Sequence, residues 1–363
     1  MEQFDVVVIG GGVMGASTAW WLARRGRSVL VLERFEAGHR RGSSHGTERI
    51  FRLTNPDPFW CRHALAALPL WRELEADSGT SLMQTMGHID FDTPPALQLR
   101  HDAAAAAGVT TQLLSPDELH ERWPGLSAER PVLFHAEGAR TNAQATIDAM
   151  LRRTMELGGD VRHECPAVAL RTRGGGGVDV EIEAGTVQAR VAVVTAAGWT
   201  PEILDGQVPG LPRIRSTTGQ VSFFAPTDPG QPWPTFVAPE VYGMPTPDGR
   251  VRVGHFLHSA PLHPDERSFE TDPSTREEIE AWVARHAPGV DPHSVDELSC
   301  LFGETSNDDY VVDRSGSIVV GCGFGGTGFK FAPLVGRMLA DLADLADGQD
   351  GPGGRFALGG HRG

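Results

Sequence analysis

The chain of 363 residues is short of cysteine, lysine and tyrosine, and each scarcity excludes something. Its four cysteines, Cys61, Cys165, Cys300 and Cys322, make no CxxC pair and no zinc-like spacing. That excludes a disulfide-stapled scaffold and a structural zinc site. His255, His258 and His263 fit no ligand set on one element, so no metal is expected. Positive charge is scarce as well. The formal net charge is -15, and nucleic acid, whose recognition needs a basic face, is not an expected partner. No apolar run reaches the ~18 residues of a membrane span. The opening Met-Glu-Gln-Phe-Asp shows no leader pattern, so the expectation is a cytoplasmic protein with reduced thiols and no membrane partner.

Lysine occurs once, as Lys330, among 32 basic residues. Such a bias suits a genome that writes arginine by default, and a lone survivor is either an accident or a place where a compact ammonium is needed and a planar fork does not fit. Tyrosine occurs twice, as Tyr242 and Tyr310.

What is present begins with a short valine-rich run over residues 4–9, the pattern of a buried parallel strand. It runs into Gly10-Gly11-Gly12-Val13-Met14-Gly15 and a helix to about residue 25; a second strand over 27–32 ends at Glu33, 18 residues after Gly15. A lone GxGxxG is weak, but strand, glycine turn, helix and a following acid together make a dinucleotide fingerprint. Gly10 allows the tight turn, Gly12 lets backbone approach a pyrophosphate, and Gly15 lets helix and strand pack closely. The helix N-terminus offers free N–H groups to phosphate, and Glu33 a bond to a ribose hydroxyl.

Further along, helices are expected over 56–76, 142–157, 273–285 and 333–346, and a hairpin turn at the glycine run 174–177. Strands are expected near residues 161, 168, 187–195, 298 and 318–320, and residues 220–258 read as β-rich. Nucleotide-type βαβ elements thus fall at the start, middle and end. The expected fold is α/β with α+β insertions, a Rossmann-like domain interleaved with a β-sheet-rich substrate domain. The first would take residues 1–85, 141–215 and 298–346, the second 86–140 and 216–297, and residues 347–363 would be a flexible tail.

The fingerprint alone does not separate NAD from FAD. Three features favour FAD: the small-residue loop Gly42-Ser43-Ser44-His45-Gly46, the Ala196-Ala197-Gly198-Trp199 turn after a mid-chain strand, and the turn Gly321-Cys322-Gly323-Phe324-Gly325-Gly326-Thr327-Gly328. The last would offer a second helix-dipole end to an isoalloxazine ring.

With these pieces the sequence resembles the monomeric sarcosine oxidase and N-methyltryptophan oxidase family, within the D-amino-acid-oxidase-like flavoproteins. The likeness runs from Phe4 to about Leu345. It is most specific in Gly-Ser-Ser-His-Gly-Thr-Glu-Arg-Ile-Phe-Arg (42–52), Cys-Leu-Phe-Gly-Glu-Thr (300–305) and Gly-Phe-Gly-Gly-Thr-Gly-Phe-Lys-Phe (323–331). The resemblance implies a glutathione-reductase or D-amino-acid-oxidase-like fold and a monomeric, FAD-dependent amine oxidase of sarcosine oxidase or glycine oxidase type. It implies a thioether from Cys300 to the flavin, helped by a nearby cation such as Arg49. Arg52 and Lys330 resemble the pair that clamps the substrate carboxylate, which gives the lone lysine a reason. His45 and Arg49 resemble residues beside the flavin, where positive charge would stabilise the reduced ring, and Tyr242 one that faces substrate. The cofactor-binding set implied by motif and resemblance together is Gly10, Gly12, Gly15, Glu33, Ser43, Ser44, Val168, Gly198, Trp199, Cys300, Gly326, Gly328 and Lys330.

Two positions depart from the family pattern. Arg252, in Val251-Arg252-Val253-Gly254-His255-Phe256, stands where the family has a lysine that promotes reaction with oxygen; phenylalanine takes a histidine position unless His255 fills it. Phe302 stands where tyrosine is common. Arginine keeps the charge but does not donate a proton at neutral pH, so O2 as acceptor competes with a dehydrogenase that uses another acceptor. Phe256 and Phe302 point to a substrate greasier than sarcosine, such as an N-alkyl glycine with a longer chain. An NAD-linked oxidoreductase and a non-catalytic flavin-binding protein remain as alternatives of other classes.

Overall fold

The computed structural model describes residues 2–346, 351 and 353–361. The valine-rich opening forms the strand Glu2–Ile9, whose last four residues are buried on both faces. That is what a continuous apolar run requires of a central parallel strand. It lies between Val29–Leu32 and Gly185–Val194, parallel to both. Asp160–Arg162 extends one edge, again in parallel. On the other side Gly185–Val194 splits its pairing. Its first half meets Val178–Ile182 in an antiparallel hairpin, and its last residues meet Ile318–Cys322 in parallel. With Ala169–Thr172 and Val311–Ser315 this is an eight-stranded sheet.

One face of that sheet carries the helices Val13–Arg24, Ala143–Glu156 and Ala332–Asp344, packed side by side. Val13–Arg24 is buried almost all round, so its small residues Gly15, Ala16, Ala19 and Ala23 are what let sheet and neighbouring helices close on it. Asn142 caps its helix through a bond from the Ala145 N–H at 3.0 Å. Asp57 caps the long helix Pro58–Ser78, which ends at left-handed Gly79.

A second eight-stranded sheet is built of Asp296–Glu304, Arg215–Phe224, Val251–His258, Val241–Pro245, Thr235–Val237, His88–Asp90, Val132–His135 and Gln112–Leu114, in that order. It packs its own core against the helix Pro273–His286. A small three-stranded sheet, Arg49–Phe51 with Ala139–Thr141 and Met83–Thr85, sits beside both.

Two expectations need correction. The strand carrying Cys300 is not the start of a third nucleotide-domain segment at residue 298. Asp296–Glu304 is an edge of the second sheet, paired along its whole length with Arg215–Phe224. The other concerns the tail. Residues 347–350, 352, 362 and 363 of it lie outside the described residues, but 353–361 are packed. Phe356 is buried among Phe59, Trp60 and Tyr310. The Phe356 carbonyl accepts the Val312 N–H at 2.9 Å, and the Leu358 N–H reaches Asp313 at 2.8 Å. A glycine-rich composition hid two apolar anchors, Phe356 and Leu358.

Candidate active site

A cavity of about 1000 Å³ runs from the C-terminal end of Glu2–Ile9 to the inner face of the second sheet. Its first stretch is the glycine turn. Gly10 has φ 102, and a Cβ there would stand 2.7 Å from the Thr195 carbonyl, so only glycine fits. Gly15 faces away from the cavity: its Cβ would lie 1.9 Å from the Gly10 carbonyl oxygen, which makes it the contact of helix on strand. Gly12 lines the cavity, and a Cβ there would meet only the Ser44 hydroxyl, at 3.3 Å. Apart from that hydroxyl, glycine at position 12 leaves open space at the cavity wall.

Glu33 turns back over this loop and accepts the Gly11 N–H at 2.8 Å and the Phe35 N–H at 3.0 Å. Burial works against its charge, but His39 and these N–H groups hold its carboxyl below the usual range. The Ser44 hydroxyl accepts the Val13 N–H at 3.2 Å, tying the loop 42–46 to the helix N-terminus. Ser43, Val168, Trp199 and Gly326 also line the cavity, Val168 at 67% exposure on its rim. Besides Gly15, two expected cofactor residues do not. Gly198 packs against Ser216, whose hydroxyl would be 2.2 Å from a Cβ, and Gly328 against Phe324. Both are small because neighbouring side chains pack directly onto the backbone there.

An FAD fits these residues. The helix N-terminus opens on the cavity, Gly12 leaves a cradle that a methyl would fill, and His45 presents a buried ring nitrogen, Nε2, with no partner among the described residues. At the far side the turn at Gly323 and Gly325, with φ 75 and 51, forms a second glycine-rich stretch of the wall.

Deeper in, four cationic side chains, Arg49, Arg252, Arg52 and Lys330, line the cavity. Arg49 donates to the carbonyls of Ser43 at 3.0 Å, His45 at 2.7 Å and Glu48 at 2.7 Å, and lies over the Phe329 ring. Burial and the neighbouring Arg252 depress its pKa. Arg252 forms a buried ion pair with Glu48 at 2.9 Å and comes within 3.7 Å of the Cys300 sulfur. Burial opposes its charge, but Cys300, Tyr242 and Glu48 outweigh it and hold Arg252 firmly protonated. The cation that touches Cys300 is thus Arg252, where Arg49 was expected. His45 is corrected too. Burial and Arg49, Arg267, Arg252 and Arg40 press its pKa to about 2, so His45 is neutral and adds no positive charge beside a flavin.

Lys330 and Arg52 both face the cavity. Lys330 is 6% exposed, its ammonium over the Phe331 ring, and burial with the nearby Arg52 lowers its pKa to about 7. Arg52 is paired with Asp90 at 3.0 Å. Tyr242 lines the cavity and packs on Phe256; burial raises its hydroxyl pKa. In the strand Val251–His258, Arg252, Phe256 and His258 share the cavity side, while His255 turns away to Glu278 at 3.4 Å. Phe256, not His255, therefore occupies the inward position. Phe302 stacks on His258 at 4.5 Å, and His258 pairs with Glu304 at 3.2 Å.

Sequence reasoning missed Glu48, Asp90 and Arg267, the last of which is buried and donates to the Ser299, Arg40 and Arg41 carbonyls.

A family model described as FAD dependent oxidoreductase matches residues 5–342. The peroxisomal sarcosine oxidase of Homo sapiens is 30% identical over 94% of this chain and 92% of its own. The monomeric sarcosine oxidase of Streptomyces avermitilis is 28% identical over 93% of each. Among solved structures, NikD, an unusual amino acid oxidase essential for nikkomycin biosynthesis, superposes with a TM-score of 0.83 at 26% identity over 95% of this chain and 94% of that one.

Proposed function

Because this chain belongs to the FAD dependent oxidoreductase family, we propose that it oxidises the C–N bond of a secondary, N-substituted amino acid such as an N-alkyl glycine. One observation carries the substrate class: the only lysine of the sequence is buried at the cavity wall beside Arg52. A burial so costly to an ammonium is explained by an anionic ligand that meets it there. Lys330 and Arg52 would take the substrate carboxylate and so fix the α-carbon and nitrogen. FAD, when bound, supplies the two-electron acceptor for that C–H bond. Gly10 to Val13 and Glu33 would hold its dinucleotide, and Cys300 would attach the ring, with Arg252 stabilising the thiolate. Arg49 and Arg252 place fixed positive charge where negative charge develops. Ile50, Val237, Tyr242, Met244 and Phe256 give the substrate end an apolar wall, which suits an N-substituent longer than methyl. The imine released is hydrolysed to an amine and a carbonyl product.

O2 is the proposed acceptor of the electrons. A second acceptor class, a quinone or another flavoprotein, is favoured by one observation: Glu48 offsets much of the charge of Arg252. One experiment tests both statements. The purified protein is mixed without air with sarcosine and with longer N-alkyl glycines, and then air is admitted. Bleaching of the flavin band by the longer homologues followed by fast recovery is the expected result. Bleaching with slow recovery selects the other acceptor, and no bleaching by any secondary amino acid rejects the substrate class.

A further inference from the structure

Asp90 ends the strand His88–Asp90, which lies inside the second sheet between Thr235–Val237 and Val132–His135. It is 1% exposed. One of its oxygens meets Arg52 Nη1 at 3.0 Å, and the other accepts the Thr54 hydroxyl at 2.6 Å. His88 Nε2 stands 3.5 Å from the first oxygen, and its Nδ1 is held to the Thr235 hydroxyl at 2.8 Å. The carboxylate is thus held by hydrogen bonds from two side chains, Arg52 and Thr54, with the His88 ring, itself anchored to Thr235, standing beside it. Burial works to raise its pKa, but His88 and Arg52 hold it far below the usual carboxylate range, so Asp90 is an anion at any working pH.

A guanidinium presents its donors in a rigid plane, so committing one nitrogen to Asp90 fixes where the rest point. Arg52 lines the cavity beside Lys330. Charge matters as much as direction. Lys330 feels repulsion from Arg52, just past the strand Arg49–Phe51, and from Arg100 on the helix Pro94–Ala106. Asp90, and Cys61 on the helix Pro58–Ser78, act the other way. Without Asp90 two cations would face each other across a buried wall. With it, and with Arg100 paired to Asp92 at 3.3 Å, Arg52, protonated Lys330 and Asp90 sum to one positive charge, matched to one carboxylate.

We propose that Asp90 is a positioning residue for the substrate-carboxylate site: it holds Arg52 in its ligand-facing orientation and sets the site's net charge so that it selects monocarboxylates over dicarboxylates. The inference rests on the proposed roles of Arg52 and Lys330.

The test uses the FAD-loaded protein and two non-oxidisable probes, acetate and malonate, titrated by the change in flavin absorbance across roughly pH 6 to 10. In the native protein acetate affinity falls as pH rises past the Lys330 value of about 7, and acetate is preferred to malonate. Asp90→Asn is expected to move that fall about one pH unit lower and to raise the malonate-to-acetate affinity ratio on the order of tenfold. Asp90→Glu is expected to keep the native ratio. If Asp90→Asn leaves both limb and ratio unchanged and only lowers stability, Asp90 is packing and the proposal is overturned. Should Asp90→Asn not fold, Arg52→Gln is compared with Arg52→Gln/Asp90→Asn, which leaves no unpaired arginine. The single variant is expected to move the limb to higher pH and the double variant to bring it back part of the way; identical limbs overturn the proposal. Acetate binding unchanged at every pH in Lys330→Met would overturn the carboxylate site itself, and the role of Asp90 with it.

Discussion

At Glu48 and Arg252 two charges have left water together, with side chains 2% and 3% exposed. Removing one partner strands the other, and loss of one member of a buried pair costs about 3–5 kcal/mol. Glu48→Gln is expected to lower the denaturant midpoint by a corresponding amount, whereas Cys300→Ser should leave it nearly unchanged and release the flavin when the protein is precipitated with acid. A Cys300→Ser protein that keeps its colour in the acid pellet would rule out attachment there. Lys330 gives a pH signature of its own. Its folded value of about 7 lies below the ordinary 10.5, so between these the unfolded chain binds more protons and stability rises with pH. A bound carboxylate favours the protonated ammonium, so binding takes up a proton above pH 7, and affinity falls as pH climbs. Calorimetry of acetate binding in buffers of different ionisation enthalpy, about one pH unit above that value, should show the uptake, and Lys330→Met should abolish it. Of these residues the sequence marked Lys330, Arg252 and Cys300. It did not mark Glu48, because whether a carboxylate before an arginine is buried depends on a strand some 200 positions away.

The element scale is where glycine separates folding from binding. A methyl at Gly15 would sit 1.9 Å from a carbonyl oxygen, but one at Gly12 meets a single hydroxyl at 3.3 Å. Gly15→Ala is therefore expected to disrupt the helix–strand contact, visible as a large loss of thermal stability. Gly12→Ala should melt as the native apoprotein does while purifying with little flavin, measured as the ratio of visible to protein absorbance. Equal flavin content in Gly12→Ala would show that the cofactor does not approach that turn. Strand alternation acts in the same way on Val251–His258. Arg252 and Phe256 share a side and His255 takes the other, a pattern written in the sequence but without a label for which side is inward.

For the molecule as a whole, the cavity exists because two sheets and the small sheet beside them converge, and the returning C-terminal segment braces one wall. Phe356 packs on Tyr310, whose hydroxyl bonds Thr327 at 2.8 Å in the glycine turn beside Lys330. Trp60 links Phe356 to Phe331 by ring contacts of 5.6 and 5.4 Å. Phe356→Ala removes a buried aromatic, a change that costs about 3–5 kcal/mol, and should lower the melting temperature of the whole protein in one cooperative transition. A melt unaltered by Phe356→Ala would mean that the segment is not docked in solution.

The sequence by itself determined the parallel strand with its glycine turn, the acid at Glu33, the helices, and the identity of the lone lysine. Each rests on local rules: a run of apolar residues, a turn that needs glycine, a cap, a spacing. Tertiary structure decided that Cys300 lies on the second sheet beside Arg252, that His45 is neutral, that Asp90 stands behind Arg52, and that residues 353–361 are anchored. Charge state and pairing depend on burial and on partners distant in the chain. Coulomb energy and desolvation act through space, and spacing along a sequence does not record them.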